Sequence, residues 1–204
     1  MEATEAAEQI RELEEEKHER DVEDRFRNRV AVYVAFLAML LTLATVGGEN
    51  ASKEMMAANI RASDTWAFYQ ARTIRQTMYE LSAAELEAVT PGLSEADRKP
   101  ILDKAAAYRI KAARYESEPV VEGSGGGKKE LAEAARKWEE IREHAERQDP
   151  NFDFAAAFIQ IAIVLGSVAI LSRNRFVLMV SMTLGALGSF FLANGFFLFA
   201  NLLH

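Results

Sequence analysis

The chain has 204 residues, of which half are hydrophobic and 27% are charged. Its net charge of −7 argues against nucleic acid as a partner, because nucleic-acid-binding domains carry basic patches. The lack of cysteine excludes disulfide bonds and thiolate sites in this chain.

Residues 1–29 form an acidic segment, with eleven Asp or Glu residues against six Lys or Arg. Its large apolar side chains are Ile10, Leu13 and Val22. Such a charge run predicts a solvated, partly frayed helix, and a helix that docks on a partner is the alternative.

Three nearly uncharged blocks follow, at residues 30–46, 154–171 and 176–203. The hydrocarbon core of a bilayer, about 30 Å thick, needs about 20 apolar residues in a helix. With their flanking small residues, the blocks predict transmembrane helices at residues 30–48, 153–172 and 176–203. We interpret the first as a retained signal-anchor, because 29 residues precede it and no cleavage site leads cleanly into a mature domain.

The basic residues near the ends of these spans predict an orientation. One side carries Arg25, Arg27, Arg29, Arg173 and Arg175, whereas the other carries only Lys53 and Arg147. By the positive-inside rule, the N-terminus is then cytoplasmic and residues 49–152 lie outside the cytoplasm.

The segment between the first two spans predicts helices at about residues 49–89, 94–117 and 128–148. The Thr-Pro-Gly turn after Val89 and the glycine-rich stretch after Pro119 end the first two, and Ser94 with Asp97 resembles a capping box. At 1.5 Å per residue, the first helix measures about 60 Å and the other two together about 67 Å. We therefore expect an all-α membrane protein in which a long antiparallel, coiled-coil-like helical hairpin separates the first two of three transmembrane helices. A three-helix bundle is the alternative.

Apolar residues at coiled-coil spacing mark one alanine-rich seam on each of these helices. The first seam is Ile60, Ala67, Ile74 and Leu81, with Ala71 and Met78. The second is Ile101, Ala105, Tyr108, Ala112 and Tyr115, and the third is Leu131, Ala134, Trp138, Ile141 and Ala145. The bulky residues around the first helix exceed what one partner covers, which favours association of several copies.

The densest polar and aromatic constellation lies on the first helix and consists of Asn59, Asp64, Trp66, Tyr69, Gln70, Arg72 and Arg75. Trp and Tyr beside Arg and Gln form packed polar contacts. We interpret these residues as a surface for self-association or for a partner. A ligand site and plain surface are the alternatives.

Small and polar residues in the last two spans predict close helix packing: Gln160, Gly166, Ser181, Gly185, Ser189, Asn194 and Asn201. We expect a hydrogen bond between Gln and Asn side chains, either between helices or between subunits. The alternative is that the polar side chains line a pore.

No residue pattern points to catalysis. Glu140 and His144 are four residues apart, as in two-ligand metal sites, but no second His or Cys lies near them in the sequence. The glycine-rich stretch that ends at Gly127 lacks the Lys-Ser or Lys-Thr pair of a phosphate-binding loop. We predict a protein without enzymatic activity, metal or cofactor.

Three stretches carry a resemblance to a known family: NIRASDTWAFYQARTIRQT from Asn59, AARYESEP from Ala112, and FAAAFIQIAIVLGSVAIL from Phe154. Over about residues 26–204 the chain resembles bacterial membrane proteins grouped as domain of unknown function 4337. The resemblance implies a bacterial inner-membrane setting and the layout above, but no activity. The positions that match the family are Asn59, Trp66, Tyr69, Gln70 and Arg75, whereas Arg72 stands where lysine is expected.

We expect a structural or scaffolding subunit that self-assembles in the lipid bilayer as a homo-oligomer, through its hairpin and its spans. One alternative is an accessory subunit of a larger membrane complex. The other is an oligomeric pore or transporter component lined by Gln160, Asn194 and Asn201.

Overall fold

Four helices account for most of the residues that the structure describes, which are 2–119 and 125–200. In this computed structural model, α1 is Glu2–Ala88, α2 is Glu95–Glu116, α3 is Lys128–Ser172 and α4 is Arg175–Phe197. Within the described residues there is no strand. The predicted all-α fold is confirmed.

The chain forms two compact units. The span unit comprises Met1–Ser52 and Glu146–His204, and the polar unit comprises Lys53–Ala145. The helices α1, α3 and α4 each contain a segment that is long and apolar enough to cross a membrane. These three segments indicate a membrane protein.

α1 is continuous through Gly47 and Gly48, from the first span into the polar unit. α3 runs further than the sequence predicts and continues through Pro150 into its apolar half. Proline has no N–H and disturbs the preceding helical turn. The side-chain amide of Asn151 donates to the Arg147 carbonyl at 2.8 Å, which supplies an additional donor to that turn.

The turn between α1 and α2 follows the predicted chemistry. Ser94 is the N-cap of α2, and its hydroxyl accepts a hydrogen bond from the Asp97 N–H at 3.3 Å and donates to the Asp97 carboxylate at 2.6 Å. Gly92 has a φ of 97°, a value that residues with a Cβ rarely adopt. The predicted helix start at Ser94 is confirmed, with Asp97 as its hydrogen-bond partner.

Residues at intervals of seven form the core of the span unit. On α1 they are Val30, Leu37, Ala44 and Ala51, and on α3 they are Ala155, Ala162 and Ala169. Leu37 packs with Ile159 and Ala162, and Ala44 packs with Phe152 and Leu192. Alanine at these positions allows the helices to approach closely, which is how helices associate where lipid removes the hydrophobic drive.

In the polar unit, the buried face of α1 is not the predicted one. Ala58, Ala62 and Ala83 are buried, whereas the predicted seam residues are exposed: Ile60, Ala67, Ala71, Ile74, Met78 and Leu81. The predicted seam is therefore wrong for α1. It is correct for α2 and α3, where Ala105, Ala112 and Ala145 are buried and the other predicted residues are half-buried.

Candidate association surfaces

Three of the seven predicted surface residues on α1 point into the polar unit. Trp66, Tyr69 and Arg72 are half-buried. The Trp66 indole donates to the Glu139 carboxylate at 2.9 Å, and its ring meets Tyr69 edge-on with the centroids 5.3 Å apart. The Arg72 guanidinium lies 5.1 Å from the ring centre of Tyr115. These side chains contribute to the packing of α1 against α2 and α3.

Aromatic rings and cations also contact one another between the helices of the polar unit. Tyr79 stacks on Tyr115 at 5.8 Å and contacts Tyr108 at 5.5 Å. The Arg61 guanidinium lies 4.6 Å from the centre of the Trp138 ring. Such cation–π pairs contribute about 0.5–1 kcal/mol each where they are partly solvated. The sequence analysis missed Tyr79 and Glu139 as members of this cluster.

The end of α2 and the start of α3 meet through a second polar cluster. The Lys128 ammonium is 2.9 Å from the Glu116 carboxylate and holds the pKa of that carboxyl below its ordinary value of 4.5. A hydrogen bond from the Ser117 hydroxyl, at 2.7 Å, likewise lowers the pKa of Glu130. A Cβ on Gly127 would lie 2.6 Å from the Ser117 Cα, so glycine is required there.

A forked ion pair links α1 to α2. The Arg109 guanidinium donates to both carboxylate oxygens of Glu87, at 2.8 and 2.6 Å. The hydrogen bond from Arg109 lowers the pKa of Glu87, and the same hydrogen bond raises the pKa of Arg109. This pair joins α1 and α2 close to the turn between them.

The other four predicted surface residues lie on the opposite side of α1. Asn59, Asp64, Gln70 and Arg75 are exposed, and they border a band of exposed apolar residues that we call the α1 stripe: Met56, Ile60, Ala67, Ala71, Ile74, Met78 and Leu81. At 100° per residue, Asp64 and Arg75 fall on one edge of the stripe, and Asn59 and Gln70 on the other. An apolar centre with a polar rim is the usual anatomy of a protein interface.

In the span unit, the predicted small residues permit close helix contact. The Ser181 hydroxyl donates to the Ala162 carbonyl at 2.6 Å, and the Tyr33 hydroxyl donates to the Ser181 carbonyl at 2.9 Å. A Cβ on Gly185 would lie 2.6 Å from the Tyr33 hydroxyl, and one on Gly166 would lie 2.7 Å from Val34. The half-buried Ser189 donates to the Gly185 carbonyl within its own helix at 2.8 Å.

Asn194 is fully buried, and its amide is used within the span unit. Its nitrogen donates to the Asn151 side-chain oxygen at 2.8 Å and to the Ala200 carbonyl at 3.0 Å, and its oxygen accepts from the Ala200 N–H at 2.9 Å. The partner of Asn194 on α3 is thus Asn151 and not Gln160. Asn201 lies outside the described residues.

Phe152 is a further residue that the sequence analysis missed. Its ring fills the space over two glycines, because a Cβ on Gly47 would lie 2.5 Å from the ring and one on Gly195 would lie 2.8 Å from it. Phe152 itself is buried and contacts Phe196 edge-on at 4.9 Å. The three helices of the span unit therefore meet around this one ring.

Gln160 is exposed on α3, within a second band that we call the α3 stripe. Its residues alternate by four and three, and all are exposed: Asp153, Ala157, Gln160, Val164, Ser167 and Leu171. The Ser167 hydroxyl donates to the Ile163 carbonyl of its own helix at 2.9 Å. The amide of Gln160 is a polar group at the middle of this face, between Ala157 and Val164.

Within the described residues, no cluster of three His, Asp or Glu side chains is arranged to hold a metal, and Glu140 and His144 are both exposed. No curated protein and no solved structure matches the chain. The family model described as "Domain of unknown function (DUF4337)" matches residues 26–198, which is most of the chain. The chain is therefore a member of the DUF4337 family.

Proposed function

We propose that the chain is a non-enzymatic structural subunit of a bacterial inner membrane that assembles with copies of itself. The observation that carries this proposal is the α1 stripe, a heptad band of large apolar side chains that stays exposed although the opposite face of α1 is already packed.

The internal packing of the polar unit leaves the stripe without a role inside the chain. Trp66, Tyr69 and Arg72 engage α2 and α3 from the inner face. Ile60 and Ile74, on the outer face, keep 55% and 61% of their surface exposed. Exposed apolar patches on the order of several hundred Å² mark interaction sites on soluble surfaces. The stripe is therefore a surface for another protein.

A second copy of this chain is the occupant that the stripe suits. Its large residues lie in two groups, Met56 with Ile60 and Ile74 with Met78, and the small Ala67 and Ala71 lie between them. Side chains of one helix insert into gaps between residues of the next in coiled-coil packing, so large groups of one copy fit over the alanines of another. On the rim, Asp64 and Arg75 bring opposite charges that neighbouring copies can pair.

The α3 stripe supports association within the membrane as well. A side-chain amide both donates and accepts, so the Gln160 side chains of two copies satisfy each other, and polar residues in spans are usually satisfied in this way. The Gln160→Leu change is expected to weaken association in mild detergent while leaving the stability of the single chain unchanged. Unchanged association would remove the α3 stripe from the proposal.

The finer arrangement of the polar unit that we propose is the antiparallel hairpin. As the residue number on α1 falls from Glu87 through Tyr79 to Trp66, the partner number rises from Arg109 through Tyr115 to Glu139. This reversed order supports α2 and α3 returning along α1. We place the polar unit in the periplasm and the N-terminus in the cytoplasm, on the arginine distribution at the span ends.

The pore alternative has less support, because the Asn194 side chain forms its hydrogen bonds with Asn151 and Ala200 of the same chain. An accessory subunit of a larger complex would use the same stripe, and the native mass separates it from a homo-oligomer. The complex is extracted in mild detergent and weighed. A single species at an integral multiple of 22.8 kDa supports self-assembly, and stoichiometric foreign chains support the accessory role.

A matched pair of variants tests the stripe itself. Ile74→Glu places a charge in the α1 stripe, and Ile110→Glu places one on α2, at an isoleucine with nearly the same exposure (64% against 61%). We expect Ile74→Glu to dissociate the oligomer and Ile110→Glu to leave it intact, with unchanged helix content in both. An oligomer that survives Ile74→Glu refutes the proposed interface.

A further inference from the structure

A groove in the span unit lies where the chain turns from α3 into α4. It has a volume of about 370 Å³ and is lined by His18, Val22, Glu23 and Phe26 of α1 and by Arg173 and Arg175. These residues belong neither to the α1 stripe nor to the α3 stripe. The inference drawn from them is independent of self-association.

The groove combines surplus positive charge with an apolar wall. Arg173 forms an ion pair with Glu23, which neutralises one guanidinium. Arg175 lines the same groove and adds a second guanidinium to it. Val22 and Phe26, one helical turn apart on α1, supply apolar surface beside these charges.

The backbone of the turn presents the two arginines together. Arg173 has a φ of 53°, in the left-handed region that side-chain-bearing residues seldom occupy. The Asn174 side chain accepts a hydrogen bond from the Phe176 N–H at 2.9 Å and caps α4. Arg175 is therefore the first residue of α4, where the helix dipole and the backbone N–H groups favour an anion.

The depth of the groove matches the headgroup layer of a bilayer. Phe26 and Val22 precede Val30, the start of the first apolar block, by about 6 and 12 Å along the helix axis. The headgroup region adds about 5–8 Å on each side of the hydrocarbon core. Arg173 follows the last residue of α3, and Arg175 begins α4. The arginines thus stand at the level of lipid phosphates.

We propose that this groove binds a phosphate ester, with the Arg175 guanidinium forking onto the phosphate oxygens. Arginine matches phosphate geometry in a bidentate manner. Phe26, about 6 Å outside the hydrocarbon core, contacts the glycerol of an anionic glycerophospholipid, and Val22, farther out, contacts its headgroup. Basic pockets between spans on the cytoplasmic side are the usual sites for such headgroups.

The full chain, delipidated in mild detergent, tests the site by native mass spectrometry with phosphatidylglycerol and, separately, with zwitterionic phosphatidylcholine. We expect phosphatidylglycerol to bind more tightly. Arg175→Gln is expected to weaken that binding about tenfold, as for the loss of a bidentate charge-assisted pair. Arg175→Lys keeps the positive charge but cannot make the bidentate contact, so an intermediate loss of affinity is expected.

Arg29→Gln is the matched control, because Arg29 is an exposed arginine near the same end of α1 that does not line the groove. It should bind phosphatidylglycerol as the unchanged chain does. Equal losses in Arg29→Gln and Arg175→Gln, or equal binding of the two lipids, would overturn the proposal. Competition by glycerol 3-phosphate would confirm the phosphate-ester site and assign it to a soluble ligand, whereas no competition assigns it to lipid.

Discussion

Replacing Asn194 by leucine removes a buried amide from the span unit at nearly constant volume. Three hydrogen bonds are lost, at 2.8, 3.0 and 2.9 Å, and the Asn151 side-chain oxygen and the Ala200 N–H lose this partner. A hydrogen bond between membrane helices contributes about 0.6 kcal/mol on average, and an orphaned buried group costs about 1–3 kcal/mol. We expect the Asn194→Leu chain to be about 2–4 kcal/mol less stable.

The assay is unfolding in mixed micelles, in which helix content is followed while sodium dodecyl sulfate is increased. Thr183→Val is the control on the same helix. The Thr183 hydroxyl is exposed and bonds to the Met179 carbonyl of its own helix, so its removal should change stability by less than about 0.5 kcal/mol.

A double-mutant cycle with Asn151→Ala isolates the bond between the two asparagines. Coupling of about 0.6–1.7 kcal/mol is expected for one direct hydrogen bond in a membrane protein. Zero coupling, or an Asn194→Leu chain as stable as the Thr183→Val control, would refute the view that this amide network contributes to stability.

Three further predictions follow from other contacts. Gly195→Leu should lower stability by about 1–3 kcal/mol in the same assay, because its Cβ would meet the Phe152 ring. Adding Phe152→Ala to that chain should restore part of the loss. If nothing is restored, the side chains at positions 152 and 195 do not clash. Because the Arg109 hydrogen bond lowers the pKa of Glu87, this pair stabilises the folded polar unit above the ordinary pKa of 4.5, and that contribution is lost as the pH falls through the lower, folded value. Urea titrations between about pH 7 and pH 3 should therefore show that the free energy of unfolding falls less for Glu87→Gln than for the unchanged chain. An identical pH profile for the two chains would contradict the stabilising role of the pair. Since the chain has no cysteine, a single cysteine introduced at Asp103 or at Arg27 reports the orientation in the membrane. A membrane-impermeant maleimide should label intact cells only when the cysteine is at position 103. Labelling only at position 27 would invert the proposed topology.

Several helix ends were predictable because they depend on neighbouring residues. The end of α4 was not, because α4 stops at Phe197, where Leu198 has a left-handed backbone with a φ of 46°, and not at the predicted residue 203. Ser94 and Asp97 satisfy each other across one turn, and Gly92 supplies the backbone conformation that the turn needs. The continuation of α3 through Pro150 was not predictable in this way. Asn151, directly after the proline, donates to the Arg147 carbonyl and accepts a hydrogen bond from Asn194 of α4, which lies 43 residues away in the sequence.

The residues of the candidate surfaces show the same difference between what neighbouring residues determine and what distant residues determine. Ser181, Gly185 and Asn194 were predictable, because small or polar residues in an apolar segment need a close neighbour or a hydrogen-bond partner. Their partners were not, because Tyr33, Asn151 and Phe152 lie far away in the sequence. A second heptad band on α1, running through Tyr69, Gln76 and Ala83, was visible in the sequence, but periodicity does not say which of two bands faces the rest of the chain.

The strongest argument for association is that the band with the large apolar side chains on α1 is the one left exposed. In the span unit α3 buries Ala155, Ala162 and Ala169 and exposes Val164 and Leu171, an arrangement that lipid explains, because hydrocarbon covers large apolar residues without cost. In the polar unit α1 shows the same pattern, with alanines inside and Ile60, Ile74 and Leu81 outside. That segment is rich in exposed charges, so lipid does not cover it, and the large side chains would face water in a single copy. On the proposal of self-assembly, a second protein surface supplies the cover that lipid supplies for α3.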